Sequence, residues 1–328
     1  MKKFLMFGAS VTQQSTRHDD STVVTGYVNH LQELYMSKPI CVDRVSCPSN
    51  TINDAGIVYL PKVIGIKPDV CFLEWSTPEI STCSKDYVSF IFDRLIRCKI
   101  LPIPCILPRS DRLNRATEIS QYLIHLSNLY GIPYFDLSSH YPPSHPDLKK
   151  MLRDKVHTNT YGASIYAGSM YSFIQDNLSF DVLESCMDKA LSIAKNGNLK
   201  FNVEEFSSHK FKPREHKISF SIQILNSTEL SIYADQRVGP WSQMSMCIIE
   251  DKLKGLKLKS TVHLYDQWTH RERQCLKLLG TFNHIDPGSY ICTIIASAEG
   301  SEISNLTPEL RISGSLYFLS NSLIKVTL

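Results

Sequence analysis

The sequence has no C-x-x-C pair, no long apolar run, no internal repeat, no low-complexity tract and almost no charge excess. Its ten cysteines therefore lack the spacing of zinc and thioredoxin-type sites. Several lie in apolar runs, Cys71 in Asp-Val-Cys-Phe-Leu and Cys105 in Ile-Pro-Cys-Ile-Leu, where a thiol packs as a small hydrophobe. Thirty-five Lys and Arg against 32 Asp and Glu leave +3, and residues 201–328 carry 14 basic and 13 acidic residues, which argues against a nucleic-acid protein. No stretch reaches the ~18 apolar residues of a membrane span. The apolar start, about five residues around Phe4–Phe7, falls short of the ~7 to 15 of a secretory signal. We read it as a first buried strand, in a cytoplasmic, reduced protein. With 14 Gly and 16 Pro in 328 residues, collagen-like and disordered classes are excluded, and two domains are expected from the length.

Up to about residue 177, short apolar runs alternate with longer amphipathic ones. Strands are expected over 3–7, 40–45, 69–74, 100–107 and 132–136, and helices over 23–36, 53–64, 84–98, 111–130 and 160–176, with Ser84 and Asp111 as N-caps. Strands separated by helices imply parallel pairing, hence a three-layer, flavodoxin-like α/β domain over residues 1–195. From Lys217 the texture changes to short alternating runs such as Ile218-Ser-Phe-Ser-Ile, broken by turn signals such as Asp286-Pro-Gly. This predicts an antiparallel β-sandwich over 196–328.

Two segments carry chemistry. Gly8-Ala9-Ser10 follows the first strand, so Ser10 stands at the carboxyl end of a buried parallel strand, where α/β sheets bind ligands and where glycine permits close backbone approach. Asp154-Lys-Val-His157 precedes the last helical pattern of this half. A serine nucleophile needs a base, and an imidazole base needs an acid to fix its tautomer; an Asp three residues before a His can bend back to supply it. His140 and His145, beside Asp147 in a proline-rich stretch, lack helix-face spacing, and no metal site is expected.

In this order and placement the two segments resemble the SGNH, or GDSL-like, hydrolase family over residues 1–177. The resemblance implies Ser10 as nucleophile, His157 as general base and Asp154 as orienting acid, with no metal or bound cofactor. It also implies an oxyanion held by the serine N–H, a glycine N–H after the second strand and an asparagine side chain after the third. Here Ser49 stands in the glycine position, keeping its N–H, and Ser76-Thr77-Pro78-Glu79 stands where Gly-x-Asn-Asp is expected. Proline offers no donor. Asn50 and Asn53 are candidate replacements, as are Ser76 and Thr77 through hydroxyl or backbone donors, with Asn50 alternatively a turn residue and Asn53 a helix cap. Glu74 and Trp75, ending the third strand, suit a hydroxyl-binding acid and a sugar-stacking ring, or a buried structural pair. Arg109 after the fourth strand suits a carboxylate clamp or an ion pair.

Three functions fit: a serine-dependent esterase removing O-acetyl groups from a carbohydrate; an O-acetyltransferase taking acetyl from acetyl-CoA as co-substrate, although no Gly-rich phosphate loop is visible; and a catalytically weak glycan-binding protein. For the last, Trp241 and Trp268 are candidates for stacking or for the core, and the β-sandwich offers a surface for homo-oligomers.

Overall fold

A computed structural model describes residues 2–17, 20–78, 85–111, 118–194, 201–206, 217–239, 242, 244–264, 272–297 and 310–327. They fall into two units, 1–199 and 200–328.

In the first unit, strand β1 (Lys2–Gly8) is buried continuously from Phe4 to Phe7, as a strand covered on both faces must be. A short hairpin, β2 (Thr16–Arg17) and β3 (Asp20–Val24), precedes β4 (Ile40–Ser46), β5 (Val70–Glu74), β6 (Leu101–Ile106) and β7 (Phe135–Asp136). The main sheet runs β4-β1-β5-β6-β7 with every pairing parallel. Leaving the hairpin aside, this is the flavodoxin-like order, with its crevice where strand order reverses beside the carboxyl end of β1.

The helices are α1 (Ser10–Gln13), α2 (Tyr27–Tyr35), α3 (Leu60–Ile66), α4 (Lys85–Arg97), α5 (Glu118–Tyr130), α6 (Leu148–Met151), α7 (Thr160–Asn177) and α8 (Phe180–Ala194), with a π-turn over Ile52–Gly56. Val88, Ile91, Phe92, Leu95 and Ile96 give α4 an unbroken apolar stripe at i, i+3, i+4, i+7 and i+8. Phe4 and Met6 join Tyr27 and Leu31 of α2 and Tyr166 and Met170 of α7 in one core cluster. Four boundaries differ from expectation. Residues 20–24 pair as a strand, so α2 starts at Tyr27; the expected helix over 53–64 opens as a π-turn; the last strand shrinks to two residues; and α8 has no counterpart in the sequence reading. Of the expected caps, Ser84 lies outside the described residues, and Asp111 is engaged by Arg109.

The second unit holds strands β8 (Asn202–Phe206), β9 (Lys217–Ile224), β10 (Thr228–Val238), β11 (Met244–Asp251), β12 (Lys257–His263), β13 (Arg273–Ile285), β14 (Gly288–Ser297), β15 (Ile312–Ser320) and β16 (Ile324–Thr327). They form two antiparallel sheets, β13-β10-β15-β8 and β12-β11-β14-β9-β16. Period-two alternation turns Ile218, Phe220, Ile222 and Ile224 of β9 into the core, where Phe220 meets Phe318 of the opposite sheet edge-on at 5.1 Å. This unit is a β-sandwich.

Candidate active site

Ser10 opens α1 immediately beyond β1. Gly8 is pressed so closely on β5 that a Cβ there would lie 2.5 Å from the Glu74 carbonyl oxygen and 2.8 Å from Glu74 Oε2. Glycine is thus required at this position for packing against β5.

Asp154 and His157 lie on the loop joining α6 to α7. A bridge between Leu152 and Thr158 closes the loop, and the Arg153 N–H donates to the His157 carbonyl at 2.9 Å. Asn159 then caps α7, its Oδ1 accepting from the Gly162 N–H at 2.9 Å while its Nδ2 donates to the Lys150 carbonyl at 2.7 Å. Gly162 lets α7 start against α6, since a Cβ there would fall 2.1 Å from the Met151 carbonyl oxygen.

This loop brings His157 to Ser10, 147 residues away in sequence. His157 Nε2 lies 2.9 Å from Ser10 Oγ, and Nδ1 lies 2.8 Å from Asp154 Oδ2. A carboxylate only accepts, so the ring proton sits on Nδ1 and the Nε2 lone pair faces the serine hydroxyl. Asp154 Oδ1 accepts from the backbone N–H groups of Val156 and His157 at 2.9 and 2.8 Å. Partial burial pushes the Asp154 carboxyl up, but hydrogen bonds from the His157 ring and these two N–H groups outweigh it and hold it well below the usual carboxylate range. Asp154 therefore stays charged beside the imidazole. The His157 side chain is 24% exposed, leaving solvent access to the reacting atoms.

Several residues that sequence reasoning missed hold the two segments together. Gln14, just past α1, donates through Nε2 to the Thr158 carbonyl at 2.7 Å and the Thr25 carbonyl at 2.8 Å, and Thr158 Oγ1 donates to the same Thr25 oxygen at 2.7 Å. Thr12 Oγ1 donates to Glu74 Oε2 at 2.9 Å and lies 3.1 Å from the Tyr27 hydroxyl. The one signal in the sequence is adjacency, since Thr12 and Gln14 flank Ser10 by two and four residues and Thr158 follows His157.

The residues singled out around the third and fourth strands take other roles. Glu74 and Trp75 are fully buried, so neither presents a surface to a sugar. Trp75 packs edge-on against Phe7 at 5.1 Å, and Glu74 Oε1 accepts from Thr77 Oγ1 at 2.5 Å. Burial raises the Glu74 carboxyl to about 7, against the pull of the Thr77 and Thr12 hydroxyls. Ser76 Oγ donates to the Cys105 carbonyl and accepts from the Leu107 N–H, both at 3.3 Å, stitching the end of β5 to β6. The Ser76 and Thr77 hydroxyls thus point into the protein and are not the replacement donors. Arg109 is buried and bidentate to Asp111 at 2.8 and 2.7 Å, with its third nitrogen donating to the Thr77 carbonyl, so it clamps its own chain and no substrate carboxylate. Glu79 lies outside the described residues, as do Trp241 and Trp268.

On the other side of β1, Ser46 pairs with Gly8 and the Cys47 N–H donates to the Gly8 carbonyl at 3.0 Å, which brings the loop after β4 beside the serine turn. Ser49 is exposed there with φ +58°, in the left-handed region that favours glycine. Asn50 Oδ1 accepts from the Cys47 thiol at 3.1 Å. Asn53 lies within the π-turn, whose N-cap position is Thr51, so Asn53 is not the cap; Thr51 Oγ1 donates to Asp54 Oδ2 at 2.9 Å. Among the described residues no cluster of His, Cys, Asp or Glu could hold a metal ion, and no helix is long and apolar enough to cross a membrane.

No family model matches the chain, and no curated protein matches its sequence. Solved structures do. A two-domain esterase active on acetylated mannans superposes with a TM-score of 0.61 over 96% of this chain and 90% of its own, at 11% identity. The same esterase co-crystallized with mannopentaose gives 0.61 over the same shares at 12% identity. An acetyl xylan esterase matches 52% of this chain and 99% of its own, with a TM-score of 0.43 and 20% identity. The chain therefore shares the fold of a two-domain esterase active on acetylated mannans, with a flavodoxin-like parallel sheet in its first unit and a β-sandwich in its second.

Proposed function

We propose that the protein is a serine-dependent carbohydrate esterase that removes O-acetyl groups, with residues 1–195 as the catalytic domain and 196–328 as an accessory domain. One observation carries this reading: the unbroken chain Ser10 Oγ, His157 Nε2, His157 Nδ1, Asp154 Oδ2, with links of 2.9 and 2.8 Å, at the carboxyl end of β1. A serine and imidazole so aligned suit acyl transfer, in which His157 takes the Ser10 proton as Oγ attacks the acetyl carbonyl. His157 then returns that proton to the departing sugar oxygen, leaving an acetyl-Ser10 ester and a free sugar hydroxyl. Water, deprotonated by His157, attacks the ester; acetate leaves and the proton returns to Ser10. Asp154 stabilises the imidazolium in both halves. Acetylated sugar as substrate is supported by the shared fold with an esterase active on acetylated mannans.

The oxyanion in this reading is met by the Ser10 N–H, at the start of a helix where N–H groups have no acceptor within the helix, by the Ser49 N–H and by Asn50. Asn50 is favoured over Asn53 because it adjoins Ser49 on the loop bonded to Gly8. The test is peptide mass after treatment with a small fluorophosphonate, followed by acetate release from acetylated manno- and xylo-oligosaccharides. One adduct on Ser10, absent in Ser10→Ala and in His157→Ala, is expected, and Asn50→Ala is expected to lower turnover by ~10² to 10³. A folded protein whose Ser10 resists the reagent would overturn the reading. Ready labelling with acetyl moved from acetyl-CoA to a sugar, and none to water, would make it an acetyltransferase.

A further inference from the structure

Among the described residues, one end of the sandwich unit gathers exposed leucines and lysines. The turn between β11 and β12 reads Lys252-Leu-Lys-Gly-Leu-Lys-Leu-Lys259, so residues 250–259 hold four lysines against two acids. Gly255, at φ +66°, makes the turn, and the Leu253 and Lys254 N–H groups donate to Asp251 Oδ1 at 2.7 and 3.0 Å, which fixes the tip by its own backbone. The side chains project outward: Leu253 is 91% exposed and Leu256 58%. Strand register brings two more leucines to the same end. Asp251 pairs with Tyr290 at the start of β14, Gly288 with Ile224 at the end of β9, and Ile224 with Ile324 at the start of β16. Leu225 and Leu323, next to the last pair, are 48% and 63% exposed. Lys252 reaches across these strands, its backbone N–H on the Ser289 carbonyl at 3.1 Å and its Nζ on Ser221 Oγ at 3.1 Å. The acids nearby are engaged: Glu250 pairs with Lys257 at 3.2 Å and Asp286 with His284 at 3.1 Å.

We propose that this end of the sandwich docks on an anionic phospholipid surface, with Leu253 and Leu256 entering the headgroup boundary, Leu225 and Leu323 beside them, and Lys252 and Lys254 facing the phosphates. Charge complementarity selects an anionic partner. The projecting leucines select a bilayer over a soluble polyanion, because a polyanion would bind the lysines and leave four leucines in water, whereas an interface takes up both. Such docking stands independently of the catalytic reading.

Co-sedimentation of the full chain with phosphatidylcholine vesicles, with and without phosphatidylserine, tests the proposal. Binding to the anionic vesicles alone is expected, weakening as salt rises. Leu253→Ser with Leu256→Ser keeps every charge and is expected to lower partitioning at least about tenfold. Lys252→Gln with Lys254→Gln is expected to lower it by roughly fivefold per lysine. All four substitutions lie on exposed positions of one turn, so an unchanged melting temperature checks folding. Failure to bind either vesicle overturns the proposal. Binding to dextran sulfate that survives the leucine changes, without vesicle binding, makes the patch a polyanion site. Concentration-dependent dimer mass lost in the leucine variant, without vesicle binding, makes it a contact between copies. Either of these also overturns it.

Discussion

Glu74 shows what a single buried residue does to this site. With its carboxyl raised to about 7 by burial, the native state binds a proton that the unfolded chain has released by about pH 4 to 5. The folded state therefore binds more protons than the unfolded one across that interval, and stability is greatest below it and falls as pH rises toward 7. The loss is up to about 3 kcal/mol at full burial. Denaturant titrations at pH 5 and pH 8 should show it in the native chain and not in Glu74→Gln, which keeps the partners and cannot ionise. Ser49 is the second telling residue. At φ +58° its side chain is strained by ~1 kcal/mol, so Ser49→Gly should keep the Ser10 labelling rate and leave the melting temperature unchanged or slightly raised. A marked loss of labelling would instead show that the hydroxyl itself acts at the site.

At the scale of elements, the reacting atoms meet because two short connections are closely packed. One is the turn from β1 into α1, set by the fit of Gly8 on Glu74; the other is the loop from α6 to α7, set by the fit of Gly162 on Met151. Gly162→Ala forces a Cβ against the Met151 carbonyl, and because the neighbouring atoms are Met151 backbone they cannot swing aside as a flexible side chain could. This change should lower stability by ~1 to 3 kcal/mol and, because α7 carries the loop with it, slow fluorophosphonate labelling of Ser10 out of proportion to that loss. Melting temperature and labelling rate, measured together, separate the two effects. Asn159→Ala, which removes the cap on Gly162 and the bond to the Lys150 carbonyl but adds no clash, is a comparison variant expected to cost about 1 to 2 kcal/mol.

At the scale of the whole molecule, each unit has a buried core of its own. Ile294, fully buried between the sheets of the second unit, is a direct probe of that core. Ile294→Ala should destabilise by ~2 to 5 kcal/mol, and the protein that remains folded should label at Ser10 at the native rate. A large drop in that rate would mean that the sandwich shapes the active site.

The chain order of apolar runs already determined the class of both units, because periodicity and the alternation of strand with helix are local properties. It determined the Ser10, Asp154 and His157 pattern too, since Asp154 and His157 are neighbours in sequence and Ser10 abuts a strand. What sequence left open was decided by burial and by partners that are distant along the chain. Glu74 and Trp75 end a strand in a place that suits substrate, yet the packing of Phe7 and the hydroxyls of Thr12 and Thr77 turn them inward. Arg109 sits at a strand end fit for a clamp, yet Asp111 occupies its fork. Gln14 carried no motif, and its place between α1 and Thr158 exists only once residues 144 positions apart are brought together. A periodic pattern records which way a residue faces; which group it meets depends on tertiary contacts that no local spacing encodes.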